Sequence, residues 1–394
     1  MFSVKRTLYV GLLIFLVLGL ARGGRAMHAP KVISSNVRGV TLAAGAALAV
    51  FAGSASASVT ITNLGVPDGA SASRPVGISS DGSVVAGLID IGLSTTGFRW
   101  SATSGIQPLP TREGGTRMFT RALSGDGSVI VGSANSGDSS DQGVRLVSGV
   151  FTVLPALTEG SNVTPRGVSA DGSVIVGTSG SSEGNRAFRW TPEGGTQSIG
   201  TLPGGNTSIG QAVSDDGLVI VGGSFLSGSG NRPYRWSAAG GMENLGLLPG
   251  MSGGVAEDTN ADGSVVIGNG NNRSFIWTEG EGLTEIDSLP GSSRVSVNAV
   301  SSDGSTVVGI SGSNAILWTR ELGTVNLNEY LPTLGLDLTG WSLNNAFDLS
   351  HDGTVLTGSG SFENREVAWV VTIPSPGAVA LLGLGGLVAS RRRR

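Results

Sequence analysis

Seven times along this chain one phrase returns: a Ser or Asn, one variable residue, Asp-Gly, a short β-branched run and a closing Gly. The copies read SSDGSVVAG from Ser79, SGDGSVIVG from Ser124, SADGSVIVG from Ser169, SDDGLVIVG from Ser214, NADGSVVIG from Asn260, SSDGSTVVG from Ser301 and SHDGTVLTG from Ser350. Their aspartates, Asp81, Asp126, Asp171, Asp216, Asp262, Asp303 and Asp352, are spaced by 45, 45, 45, 46, 41 and 49 residues. A unit of this length cannot bury its apolar face alone, so it must stack on its neighbours. Short β-branched runs joined by Asp-Gly turns make each unit a small antiparallel sheet. The period predicts an all-β fold, a seven-bladed β-propeller of four-stranded blades across residues 58–372.

Each copy divides into four strand-like pieces. The first leads into the Asp-Gly, as in Gln211-Ala212-Val213, and the second follows it, as in Val174-Ile175-Val176. Asp-Gly between them predicts a type I′ hairpin turn, in which both central residues take φ > 0. The third piece carries an aromatic pair, as in Phe98-Arg99-Trp100, Phe188-Arg189-Trp190 and Tyr234-Arg235-Trp236. The fourth is expected to end in Leu-Pro, at Leu109-Pro110, Leu154-Pro155, Leu202-Pro203, Leu248-Pro249, Leu289-Pro290 and Leu331-Pro332. Proline suits an outer edge strand, where its missing N–H leaves no gap in the ladder. Seven sets of the first three pieces meet only six of the fourth. The seventh precedes the first repeat, where Ile61-Thr62-Asn63-Leu64-Gly65 echoes Met242-Glu243-Asn244-Leu245-Gly246. This N-terminal strand is expected to complete the last blade and close the ring, which removes an open sheet edge. The rival is a six- or eight-bladed ring with an irregular blade around 319–345, where the spacing lengthens to 49.

Composition removes whole classes of chemistry. There is no Cys, and the two histidines are His28 and His351, so thiolate nucleophiles, disulfides and poly-His metal centres are excluded. No metal or cofactor is called for. Between Ser58 and Ile373 there is no Lys, and 15 Arg against 29 Asp and Glu leave −14. Phosphate backbones need positive charge, so such a body does not bind nucleic acid. Membrane contact is expected only through the terminal segments.

Those termini read as addresses. Residues 1–57 form an export region. The apolar run from Val40 to Gly53 follows Lys31 and Arg38 and ends in small residues, with Ala55-Ser56-Ala57 as a cleavage site. Met27 stands just before this signal peptide, at 27–57, which makes residues 1–26 an upstream mis-start; the alternative is a membrane helix at 8–20. Residues 373–394 run from Pro374-Ser375-Pro376 through an apolar stretch, Val379 to Ala389, to Arg391–Arg394. Four arginines behind an apolar run stop translocation with their charges in the cytoplasm.

Two resemblances rest on these residues. The tail resembles PEP-CTERM sorting signals, with Pro-x-Pro, a short apolar span and an Arg cluster in order, although Ser375 stands where Glu is usual. It implies an exosortase-type sorting machinery as partner; an uncleaved C-terminal anchor is the alternative. The repeats resemble the HAF family of extracellular repeats, named for a short motif near Ala187-Phe188-Arg189-Trp190. That family implies export and a place at the cell surface or in the extracellular matrix, and no reaction.

Few residues invite a functional reading. One aromatic per blade in one register marks the tryptophans as packing between blades. Arg99, Arg145, Arg189 and Arg235 alternate with them and are expected to pair with nearby acids. The Asp-Gly aspartates lack the alternating acids of a calcium loop, and the Ser before each is expected to bond the turn backbone. More informative is the position five before each aspartate: Val76, Arg121, Arg166, Gln211, Glu257, Asn298 and Phe347. Its neighbours keep a pattern while it changes chemical type. If the first strand lines the central channel, these side chains ring it, and Arg121, Arg166, Gln211, Glu257 and Asn298 are the candidate ligand-binding residues. Two adjacent arginines suit a carboxylate or sulfate, so acidic exopolysaccharide is the expected partner. Glu257 and Asp258 are adjacent on a strand and expected to face opposite sides. No other carboxylate pair or nucleophile elbow has a motif around it. The reading is therefore a non-enzymatic surface binding or scaffolding protein, with a carbohydrate-active enzyme (a glycosidase or lyase) as the alternative.

Overall fold

A computed structural model describes residues 58–373 apart from Leu93, Asp138 and Ser139. The export region and the tail with Pro374, Ser375 and Pro376 lie outside the described residues. Among the described residues no helix is long and apolar enough to cross a membrane. The described strands form seven four-stranded antiparallel sheets. In blade 1 the strands run Ala70–Ile78, Val84–Ile91, Ser94–Ser101 and Gly105–Pro108, from inner to outer. The next five blades repeat that order. Blade 7 takes its inner three strands from Trp341–Leu349, Val355–Phe362 and Arg365–Thr372, and its outer strand, Thr60–Gly65, from the other end of the domain. The ring is a seven-bladed β-propeller closed by the N-terminal strand, as the count of pieces predicts.

The echo that identified the closing strand extends to its hydrogen bonds. Asn63 Oδ1 accepts from Gly65 N at 2.8 Å, as Asn244 Oδ1 accepts from Gly246 N at 2.9 Å, and both glycines have φ 83°. The leucines between them, Leu64 and Leu245, are buried. Lengthened spacing near 319–345 does not signal a missing blade. It holds a short helix, Leu327–Thr333, capped by Asn326 and burying Leu327 and Leu331 against the inner strand of blade 7.

Two turn assignments differ from expectation. In the repeat phrase only the glycine has positive φ, 73° at Gly82, so the turn is not type I′. Ser79 O instead accepts from Gly82 N at 2.8 Å, and Ser79 N donates to Val84 O at 2.8 Å. The side chains explain why this wider turn wins. Ser79 Oγ accepts from Val84 N at 2.9 Å and donates to Asp81 Oδ1 at 2.7 Å, which also accepts from Ser83 N at 2.9 Å. In blade 5 Asn260 Oδ1 takes over the bond from Val265 N. These contacts hold the Asp81 carboxyl down at about 2, through the Ser79 hydroxyl first and the Ser83 N–H next. The same turn glycine abuts the preceding blade: a Cβ on Gly217 would strike the Val174 side chain.

Leu-Pro, second, closes the outer strand in blades 1 and 2, where Leu109 N and Leu154 N still donate to the third strand, but not in the others. In three blades it opens the linker to the next blade as Leu-Pro-Gly-x, with Leu202 O accepting from Gly205 N at 2.8 Å and Gly204 at φ 79°. Proline then a positive-φ glycine is a type II turn. Leu331–Pro332 belongs to the helix instead. The leucine is kept because it is buried, as at Leu154 and Leu202.

The tryptophans pack between blades. Trp190 lies with Val129 and Val131 of blade 2, and Trp100 with Leu64, Ala368 and Val370 of blade 7. Of Arg99, Arg145, Arg189 and Arg235, Arg235 alone reaches an acid among the described residues, with Glu279 at 4.0 Å, and its Nε donates to Gly263 O at 2.7 Å.

Ser169→Ala tests the turn network. It strips the buried Val174 N–H of its acceptor and Asp171 of its donor. The expected loss is about 1–3 kcal/mol in urea denaturation. Ser169→Asn, which copies blade 5, is expected to keep most of that stability.

Candidate functional site

The inner strand of every blade carries a β-bulge at one place. Its register slips between Pro75 and Gly77, Thr120 and Ala122, Pro165 and Gly167, and Gly210 and Ala212. The same slip falls between Ala256 and Asp258, Val297 and Ala299, and Ala346 and Asp348. The extra residue is in each case the variable one: Val76, Arg121, Arg166, Gln211, Glu257, Asn298 or Phe347. A bulged residue has no cross-strand partner, which frees its side chain from the pairing rules of its neighbours. The closing Gly of the repeat phrase is the other half of this device. A Cβ on Gly132 or Gly177 would collide with the Phe119 or Thr164 carbonyl oxygen of the inner strand.

All seven variable residues border one axial cavity of about 250 Å³. The structure thus brings Arg121, Arg166, Gln211, Glu257 and Asn298 together, and their roles differ. Asn298 Nδ2 is committed to blade 7, donating to Asn345 Oδ1 at 2.8 Å and Ala346 O at 2.7 Å. Gln211 Nε2 donates to Glu257 Oε2 at 2.9 Å. Neither Arg121 nor Arg166 makes an ion pair among the described residues, and Arg166 Nε is buried without a hydrogen-bond partner. Burial first, and then the neighbouring Arg121 charge, hold the Arg166 guanidinium below its usual value, while Glu257 acts the other way. Burial raises the Glu257 carboxyl, against bonds from Asn269 and Gln211 and the Arg166 charge. Phe347 and Val76, neighbours across the ring closure, give the wall an apolar sector.

The bulge also overturns the strand alternation expected of Glu257 and Asp258. Both residues border the same cavity. Asp258 and its counterpart Asp348 stand where the other blades have Gly77, Ala122, Gly167, Ala212 and Ala299. Each ties its blade to the next: Asp258 Oδ2 accepts from Val300 N at 3.0 Å, and Asp348 Oδ2 from Ile78 N at 2.8 Å. Both sit deep in the wall with a narrow exposure to the lumen. Burial pushes Asp258 up to about 8 and Asp348 up to about 7, with the Asp215 charge adding to each. Sequence reasoning missed this pair. Its signal is an acid four residues before the Asp-Gly aspartate, where the other blades are Gly or Ala.

At the Asp-Gly end the variable residue inside the repeat phrase forms a collar. Backbone N–H groups of Ser80, Gly125, Ala170, Ala261, Ser302 and His351 each donate to the carbonyl at the same position in the next blade, at 2.7–3.2 Å; the last of these six bonds, His351 N to Ser80 O, joins blade 7 to blade 1. Inside the collar His351 Nε2 lies 3.2 Å from Asp215 Oδ2, which also accepts from Ser302 Oγ at 3.0 Å. Blades 4 and 7 are as far apart as two blades of seven can be, so this contact spans the mouth. Among the described residues no group of three His, Asp or Glu side chains is placed to hold a metal ion.

No family model and no curated protein matches the chain. Solved structures do. The chain is similar to an oligogalacturonate lyase from Vibrio parahaemolyticus, at 12% identity and TM-score 0.52, over 80% of this chain and 94% of that one. It is similar to an oligogalacturonate lyase in complex with manganese, at 13% identity and TM-score 0.52, over 81% and 94%. TolB from Acinetobacter baumannii follows at 12% identity and TM-score 0.42, over 71% and 76%. At such identities the likeness is one of fold, and the fold is a β-propeller.

Proposed function

We propose that the protein is an exported, surface-associated binding or scaffolding protein without enzymatic activity, whose channel takes the carboxylate or sulfate groups of an acidic extracellular polysaccharide. The observation that carries this reading is the pair Arg121 and Arg166. They sit in one register on consecutive blades, and among the described residues neither makes an ion pair and a buried N–H of Arg166 has no acceptor. A planar anion offers the paired acceptors that guanidinium groups match. The signal-like segment at 27–57 and the tail at 373–394 support export to the cell surface, with an exosortase-type enzyme as the sorting partner.

Calorimetric titration with uronate oligosaccharides tests the reading. Arg121→Ala with Arg166→Ala is expected to lower affinity at least 100-fold, about 3 kcal/mol, with thermal stability unchanged. Normal binding by the double variant, or none by the parent protein, overturns it. The alternative is a glycosidase or lyase acting on the same matrix. In its favour Glu257, a carboxyl raised by burial, stands across Gln211 from the arginines, where it is suited to proton transfer. Release of shortened or unsaturated oligosaccharides would decide for it.

A further inference from the structure

Seen from the Arg121 and Arg166 level, the channel has a floor. At the collar, where backbone hydrogen bonds join blade to blade, seven residues at about 4.8 Å spacing enclose a ring about 11 Å across between backbones. With small residues throughout, as Gly125, Ala170 and Ala261 are, that ring would leave a through-hole. Asp215 and His351 instead meet across it, and Ser302 fastens Asp215 from the side. The bar lies four residues beyond the arginine level, about 12 Å along the axis. Between the two levels lies the cavity of about 250 Å³, just below the usual range of small-ligand sites, about 300–1,000 Å³. It is long enough for about one or two sugar rings, and the Asp215–His351 contact crosses its far end.

Resting on the uronate reading above, we propose that the channel recognises the end of an acidic glycan chain and not its interior. A terminal uronate enters from the face opposite the Asp-Gly turns. It sets its carboxylate on Arg121 and Arg166, its hydroxyls toward Gln211 and Glu257, and an apolar ring face toward Phe347. The chain behind it leaves by the way it came. An internal residue carries chain on both sides, and the Asp215–His351 bar stands where one of those arms would have to pass.

The test uses oligogalacturonates of two to twelve residues and a long polygalacturonate, titrated into the protein. Terminal recognition gives a molar affinity per chain that is flat with length, within about 2-fold from the trimer up. It also gives no more than one protein per chain end on the polymer. Opening the floor with Asp215→Ala and His351→Ala is expected to introduce a length dependence, because longer chains then extend through the far mouth. Many proteins loading per polymer, or affinity rising in proportion to length in the parent protein, overturns chain-end recognition and leaves the uronate reading standing. No binding at any length overturns the uronate reading, and this inference with it.

Discussion

Deletion of residues 59–66 will cost the propeller about 4–5 kcal/mol, a large part of the roughly 5–15 kcal/mol available to a folded domain. The segment is short and only partly buried, so its length alone predicts little. Its placement predicts much. Thr60–Gly65 pairs with Ala368–Thr372, and without it the third strand of blade 7 becomes an open edge. Leu64 leaves a buried cluster with Ile78, Val85, Trp100 and Val370, worth about 2 kcal/mol. Val59 and Ile61 leave the cluster around Trp369, and Ser73 Oγ loses its bond to Gly65 O. The deletion is expected to lower the denaturation midpoint steeply, and a synthetic peptide spanning 58–67 should recover part of the loss. Unchanged melting would show that ring closure contributes nothing.

Stability is expected to fall as pH rises from about 4 to 8, the reverse of an ordinary acid-labile domain. Asp258 and Asp348, at about 8 and about 7 in the fold against 3.8 for the free side chain, bind more protons folded than unfolded through that window. Each such group takes stability away as it ionises, up to about 1.4 kcal/mol per pH unit. Because both carboxyls keep some contact with channel solvent, the combined loss is expected near 2–4 kcal/mol. The turn aspartates act oppositely. Asp81, Asp126 and Asp171 are held low by serine hydroxyls, so their contribution is present above about pH 4 and is lost on further acidification. The maximum is therefore expected near pH 4–5. Asp258→Asn with Asp348→Asn keeps an acceptor for Val300 N and Ile78 N. It should flatten the slope between pH 5 and 8 in urea titrations. A profile that rises across that window in the parent protein would refute the assignment.

The fold was legible because a propeller repeats its nearest-neighbour contacts seven times. Turn serines, closing glycines, blade-facing tryptophans and the orphaned Asn63-Leu64-Gly65 strand each answer to a local rule, and repetition turns those rules into a period. The same period located the candidate site, since a position that varied within a constant frame proved to be the bulged residue on the channel wall. Reasoning by strand parity failed where the bulge intervened. It separated Glu257 from Asp258, which share one cavity, because a bulge adds a residue without advancing the pleat. The Leu-Pro turns were misplaced for a kindred reason: proline suits both an edge strand and the second position of a turn, and only the path to the next blade distinguishes them.

What no local pattern contains is a contact made once. Asp215 and His351 occupy an unremarked slot in two repeats three blades apart, and nothing in either repeat refers to the other. They meet only because the ring closes at a radius that lets two side chains span it. The seven-blade count and its closing strand were thus decided by the sequence, through interactions that recur along the chain. The barred channel and its two raised carboxyls were decided by the tertiary structure, through interactions across an axis that exists only after closure.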